Sequence, residues 1–159
     1  MEITPEIIIH AARQGRADIL EEILNTGASL DVRDEKGFTP LIIACYSDRY
    51  DAAKFLLDNG ADVNAVDYSG NTALMGAAFK GYIKVAELLI FHGANLEMQH
   101  GNGGTALMFA AMFGRNDMLR LLLKHGASKD VTDQRGFSVY DLAAQQGNVE
   151  GIEILDGKG

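Results

Sequence analysis

Apolar positions in this chain come in short clusters that return at a fixed step. Ile19, Leu20, Ile23 and Leu24 have the i, i+1, i+4, i+5 spacing that lays one stripe along an amphipathic helix. Ala53, Phe55, Leu56 and Leu57 carry the next such stripe, and Gly27 and Gly60 stand just beyond the two, as helix-ending glycines do. The step is 33 residues: Gly27, Gly60, Gly93 and Gly126 are in register, as are Gly37, Gly70, Gly103 and Gly136, and Ala11, Ala44, Ala77, Ala110 and Ala143. A strict period of this length marks stacked supersecondary units, each too small to bury its apolar face alone.

Within one period the elements follow in order. Asp34-Glu35-Lys36-Gly37 predicts a tight turn, because Asp accepts hydrogen bonds from amides downstream and Gly takes positive φ. Thr39-Pro40 caps and opens a first helix through Cys45, as Thr4-Pro5 does in the opening unit. A link and a second helix complete the unit. The link carries Gly81, Gly114 and Gly147, but Asp48 in one unit, and Asp tolerates the left-handed conformation needed there. We divide the chain into units 1–33, 34–66, 67–99, 100–132 and 133–159, forming a single domain over 1–159.

These units resemble ankyrin repeats. The residues that carry the resemblance are Asp34-Glu35-Lys36-Gly37-Phe38-Thr39-Pro40-Leu41, Leu56-Leu57-Asp58-Asn59-Gly60-Ala61-Asp62-Val63-Asn64 and their equivalents, over essentially the whole chain. The resemblance implies an all-α solenoid of stacked helix-turn-helix units joined by β-turn or hairpin loops. The Thr-Ala-Leu-Met form at 72–75 and 105–108 resembles bacterial members. One departure stands out: the family's usual His after Thr-Pro-Leu is Ile42, Met75, Met108 and Asp141, which removes a side-chain hydrogen bond to the turn.

Outer faces of a solenoid must be polar. The column Glu22, Phe55, Leu88, Leu121, Ile154 is charged only in the first unit, and Leu24, Leu57, Ile90, Leu123, Asp156 only in the last. We therefore expect units 1–33 and 133–159 to be caps of a complete array, with Leu88 and Leu121 buried.

Composition narrows the function. A net charge of −8 argues against broad attraction to nucleic acid or to anionic membrane. No apolar run approaches the ~18 residues of a membrane span, and residues 1–15 lack the basic start and apolar centre of a signal peptide. One cysteine permits no internal disulfide, and a cytoplasmic setting is expected. Cys45 lies in the column Ala12, Ala78, Ala111, Ala144 and is expected to be packing rather than a nucleophile. His92 and His125 are one unit apart, about 8–10 Å for packed helices, too far to share a metal; both are expected at solvent-exposed helix ends, with His10 partly packed. Gly101-Asn102-Gly103-Gly104 lacks the Lys-Ser/Thr and the preceding strand of a phosphate loop and is expected to be a loosened turn, with His100 in the turn position of Asp. No catalytic residue, metal ligand or cofactor is assigned.

The resemblance implies non-catalytic binding of another protein in a groove of turn tips and first helices. Carried over position by position, the groove contains Arg13, Arg33, Lys36, Val66, Asn71 and Gln99 among others. The candidates for partner contact are Phe38, Tyr46, Tyr68, Phe79, Lys80, Met112, Phe113, Arg135 and Phe137. Tyr46, Phe79 and Met112 share a column where the terminal units have Arg13 and Gln145, and stacking turns a column into a stripe. Either the stripe is a hot spot or it closes gaps between units. Five groove cations (Arg13, Arg33, Lys36, Lys80, Arg135) against Glu35 point to an acidic, apolar partner segment. The free chain is expected to be a monomer. A self-associating spacer and, behind it, an enzyme are the rival readings.

Overall fold

The computed structural model describes residues 2–158. Among these are ten helices in five pairs: α1 Pro5–Arg13 with α2 Ala17–Asn25, α3 Pro40–Tyr46 with α4 Tyr50–Asp58, α5 Ala73–Lys80 with α6 Ile83–Phe91, α7 Ala106–Met112 with α8 Asn116–Lys124, and α9 Val139–Gln145 with α10 Val149–Leu155. The odd-numbered helices stack in an inner row and the even-numbered helices in an outer row, each packed on the equivalent helix of the next pair. The inner row packs more closely than the outer, so the stack curves toward it. Alanine makes that approach possible. Ala44, Ala77, Ala110 and Ala143 are wholly buried, as are Ala12, Cys45, Ala78 and Ala111 beside them. Among the described residues the strand content is one isolated bridge, Thr132 to Ser138.

Each inner helix begins in the same way. Thr4, Thr39, Thr72, Thr105 and Ser138 are N-caps whose hydroxyls accept the amide three residues on, satisfying a donor that the helix leaves free. The missing family histidine is partly replaced, which corrects the expectation of a lost bond. Met75 Sδ accepts the Thr72 amide at 3.5 Å, and Asp141 Oδ2 accepts the Ser138 amide at 2.8 Å.

The outer helices start differently. Arg16, Arg49, Tyr82 and Arg115 are N-caps without a side-chain capping bond. Two of these arginines reach back one unit instead: Arg49 Nε donates to the Arg13 carbonyl and Arg115 Nε to the Phe79 carbonyl, both at 3.0 Å. Asn148 Nδ2 does likewise to the Ala111 carbonyl at 3.0 Å. The bonds satisfy carbonyls at the ends of α1, α5 and α7. The link glycines take positive φ, and at two of them an arginine also lies over the position. A Cβ on Gly15 would lie 2.8 Å from Arg49 Cδ, and one on Gly81 3.0 Å from Arg115 Cδ. Asp48 holds φ of 57° without glycine, and the unit that follows it has Tyr82 where units one, two and four have arginine.

The core is continuous from Ile8 to Leu155. Leu88 is buried, while Leu121 is only half-buried, so the two are not equivalent as expected. Glu22 and Asp156 are exposed. Leu89, wholly buried in α6, is the better measure of the stack: Leu89→Ala should lower unfolding free energy by about 2–5 kcal/mol, Leu121→Ala by less, and Glu22→Ala by under about 0.5 kcal/mol, read from urea titrations of the three variants.

Candidate binding groove

The inner face is built on turns that bond to one another. Asp67 Oδ1 accepts the amides of Ser69 (2.8 Å) and Asn71 (2.9 Å), and Asp34 and Asp133 close their own turns in the same way. Successive turns are joined by amide-to-carbonyl bonds: Tyr68 to Lys36, Gly101 to Ser69 and Gln134 to Asn102, at 2.9–3.1 Å. These contacts fix the turn tips as one wall of the groove.

Against that wall the inner helices present a connected set of aromatic rings. Tyr46 and Phe79 stack with centroids 6.2 Å apart, and Phe79 meets Phe113 edge-on at 4.6 Å. Tyr46 and Phe113 are 45% and 43% exposed, so the set is open to solvent at both ends and supported by Phe79 between. Lys80 Nζ sits 4.9 Å above the Tyr46 ring, a cation–π contact. Met112 is half-buried beside the rings. At the far end Arg135 lies over Phe137 at 4.7 Å and pairs with Asp133 at 3.0 Å. Burial works against the charge on Asp133, yet the Phe137 amide and the Arg135 guanidinium outweigh it and hold the carboxyl below its usual range. Phe38 is half-buried at its turn. Tyr68 stands apart from the stripe, 72% exposed at a turn tip.

Two groove positions turn out to be ties between turns. Arg33 donates from Nη1 to the carbonyls of Gly37 and Val66, and Gln99 from Nε2 to those of Gly103 (2.8 Å) and Thr132 (3.4 Å). With Arg33 and Arg135 engaged, Arg13, Lys36 and Lys80 are the groove cations that make no ion pair among the described residues.

The turn at residues 100–104 is not loose. His100 Nδ1 accepts the Asn102 amide at 3.4 Å, in place of an Asp oxygen, and the ring lies 5.0 Å from Phe109. The imidazole occupies the space above Gly104, where a Cβ would lie 2.9 Å from His100 Nε2. Gly103 is required for a different reason: with φ of 86°, its Cβ would lie 2.8 Å from the Gln134 amide nitrogen.

Cys45 is wholly buried and its thiol pushed up by burial. Among the described residues no three His, Cys, Asp or Glu side chains are grouped to hold a metal. His92 is half-buried, 3.7 Å from Asp58 Oδ1, whereas His125 is exposed; His10, expected to pack, is exposed too. Sequence reasoning also passed over Phe91, 85% exposed on the outer row, and Gly76 and Phe109 in the floor of the groove. The signal for Gly76 was available in the column His10, Ile43, Phe109, Leu142, which has a side chain at every other position.

The family model described as ankyrin repeats (3 copies) matches residues 8–100 and 74–159. The chain belongs to the ankyrin repeat family, whose members generally bind other proteins and are typically non-catalytic. Among curated proteins, no sequence matches the chain. No helix among the described residues is long and apolar enough to cross a membrane.

His100 gives the groove a pH dependence. Burial lowers its pKa, against Asp67 and Asp133, which raise it. Its folded pKa is thus below the unfolded value of about 6.5, and the unfolded chain binds more protons between the two. Stability from this residue is full above about 6.5 and is lost as pH falls through the folded pKa. The difference in unfolding midpoint between pH 8 and pH 5 should therefore be smaller in His100→Asn, which keeps a turn acceptor that does not titrate.

Proposed function

We propose that the chain is a non-catalytic interaction module that seats an extended segment of another protein along its inner face. The observation that carries this reading is the aromatic set Tyr46–Phe79–Phe113, continuous across three units and open to solvent at both ends. Large apolar surface at the centre of a concave face is where binding energy concentrates. Phe38, Tyr68, Met112 and Phe137 extend the surface, with Lys80 and Arg135 at its edges. The partner segment is acidic and apolar, matching Arg13, Lys36 and Lys80. Residues 1–159 act as one domain, with 1–33 and 133–159 as caps, monomeric when free and serving as a cytoplasmic scaffold.

The test uses peptides selected from a displayed random 12-residue library against the intact chain. Phe113→Ala should weaken a selected peptide by about 2 kcal/mol or more and leave the unfolding midpoint nearly unchanged. A large stability loss with binding intact makes the rings packing between units. Association should also slow as salt rises, since exposed charges are screened; salt-independent association, or a basic consensus among the peptides, counts against the acidic partner. Concentration-dependent sizing of the free chain separates this reading from a self-associating spacer.

A further inference from the structure

Gly76 lies in the interior of α5, where glycine is destabilising relative to alanine, and its backbone does not call for it: unlike the turn glycines it has no positive φ. Its equivalents one unit away are Ile43 and Phe109. The stack therefore has a missing side chain in its floor, where Tyr46 leans over the vacated position. A pocket of about 340 Å³ fills it, walled by Ile43, Met75, Phe79 and Phe109 and overhung by Tyr46. That volume is near the lower end of the ~300–1,000 Å³ of small-molecule sites and has room for one large side chain.

The charges around the pocket define what enters it. Asp67 is in the wall, buried, with its carboxylate accepting from Ser69 and Asn71. A second carboxylate inside would face that charge, so the occupant is not an anion; Asp67 is already engaged by Ser69 and Asn71, and the lining of Ile42, Ile43, Met75, Phe79 and Phe109 suits an apolar group. Outside, Lys80 Nζ stands over Tyr46, and neither Lys80 nor Lys36 has an ion pair among the described residues.

We propose that the Gly76 pocket is the anchor subsite of the groove: it takes one aromatic or long aliphatic side chain of a protein segment, next to an Asp or Glu that pairs with Lys80. This rests on the groove-binding reading and adds to it the position and chemistry of the central contact. Tyr46 is the movable wall. A Cβ on Gly76 would lie 3.2 Å from its Cδ1, and the ring is half exposed.

Gly76→Leu fills the pocket with the residue found at Leu142 in the same column, and Gly76→Ala fills it in part. Both go into a cycle with a peptide selected on the intact chain, measured by fluorescence polarisation. The selected peptides should share one large apolar residue beside an acid. Replacing that residue by Ala should weaken binding more than tenfold on the unmodified chain and less than twofold on Gly76→Leu. The unfolding midpoint of Gly76→Ala should be unchanged or raised. An equal loss from the peptide change on both chains overturns the pocket. So does a lowered midpoint in Gly76→Ala, since glycine would then serve only to seat Tyr46. Peptides that are lost with Phe113→Ala but are indifferent to Gly76→Leu overturn the pocket and leave the groove standing. Failure to select any binder overturns both.

Discussion

Everything in this molecule depends on how closely the inner helices approach. Two helices can stack along a column only if the side chains between them are nearly absent, and Ala44, Ala77, Ala110 and Ala143 supply that at every step. The outer helices also bury larger side chains, Leu56, Leu89 and Leu122 among them, and pack less closely on one another. The difference bends the stack, and the bend makes a groove. A methyl group more or less in the alanine columns would change the curvature as well as the stability, since interiors are packed to the density of organic crystals. Cys45 fits the same requirement: it is tolerated because its size is close to that of alanine, and the burial that allows it suppresses its chemistry.

The repeat period made the fold legible, because periodicity survives whatever individual residues do. Turn, cap and helix could be placed from Asp34, Thr39 and Gly60 alone. What the columns could not reveal was direction. A column lists residues that share a position, but side chains lean, and Phe79 meets Phe113 on the diagonal, outside its own column. Arg33 and Gln99 occupy groove positions yet reach back to the turns. Leu121 occupies a core column and is half-buried. Each misreading has one cause: spacing gives the Cβ position, and a long side chain has several ångströms beyond it to travel.

The groove also illustrates how absence is hidden from a pattern. Aromatic residues draw attention, so the rings at 46, 79 and 113 were found from the sequence, whereas the space beside them was not. Gly76 looked like one more glycine in a glycine-rich chain. It is informative only against its column, and only once neighbours in space are known. His100 and Gly104 form a similar pair, a larger turn residue and a vacated position that together keep the turn's shape.

The arginine ties between units have a consequence for how such a chain can be rearranged. Arg49 and Arg115 each lie across a glycine of the preceding unit, Gly15 and Gly81. Asp48 takes that position in the second unit and is followed by the unit whose helix opens with Tyr82. The units are therefore not interchangeable beads. A duplicated copy of residues 34–66 placed directly after itself would set Arg49 against Asp48, whereas the same copy placed after 67–99 would set Arg49 beside Gly81. Neighbour compatibility is written in a single link residue, and it gives the array a grammar in which some orders of the same words are allowed and others are not.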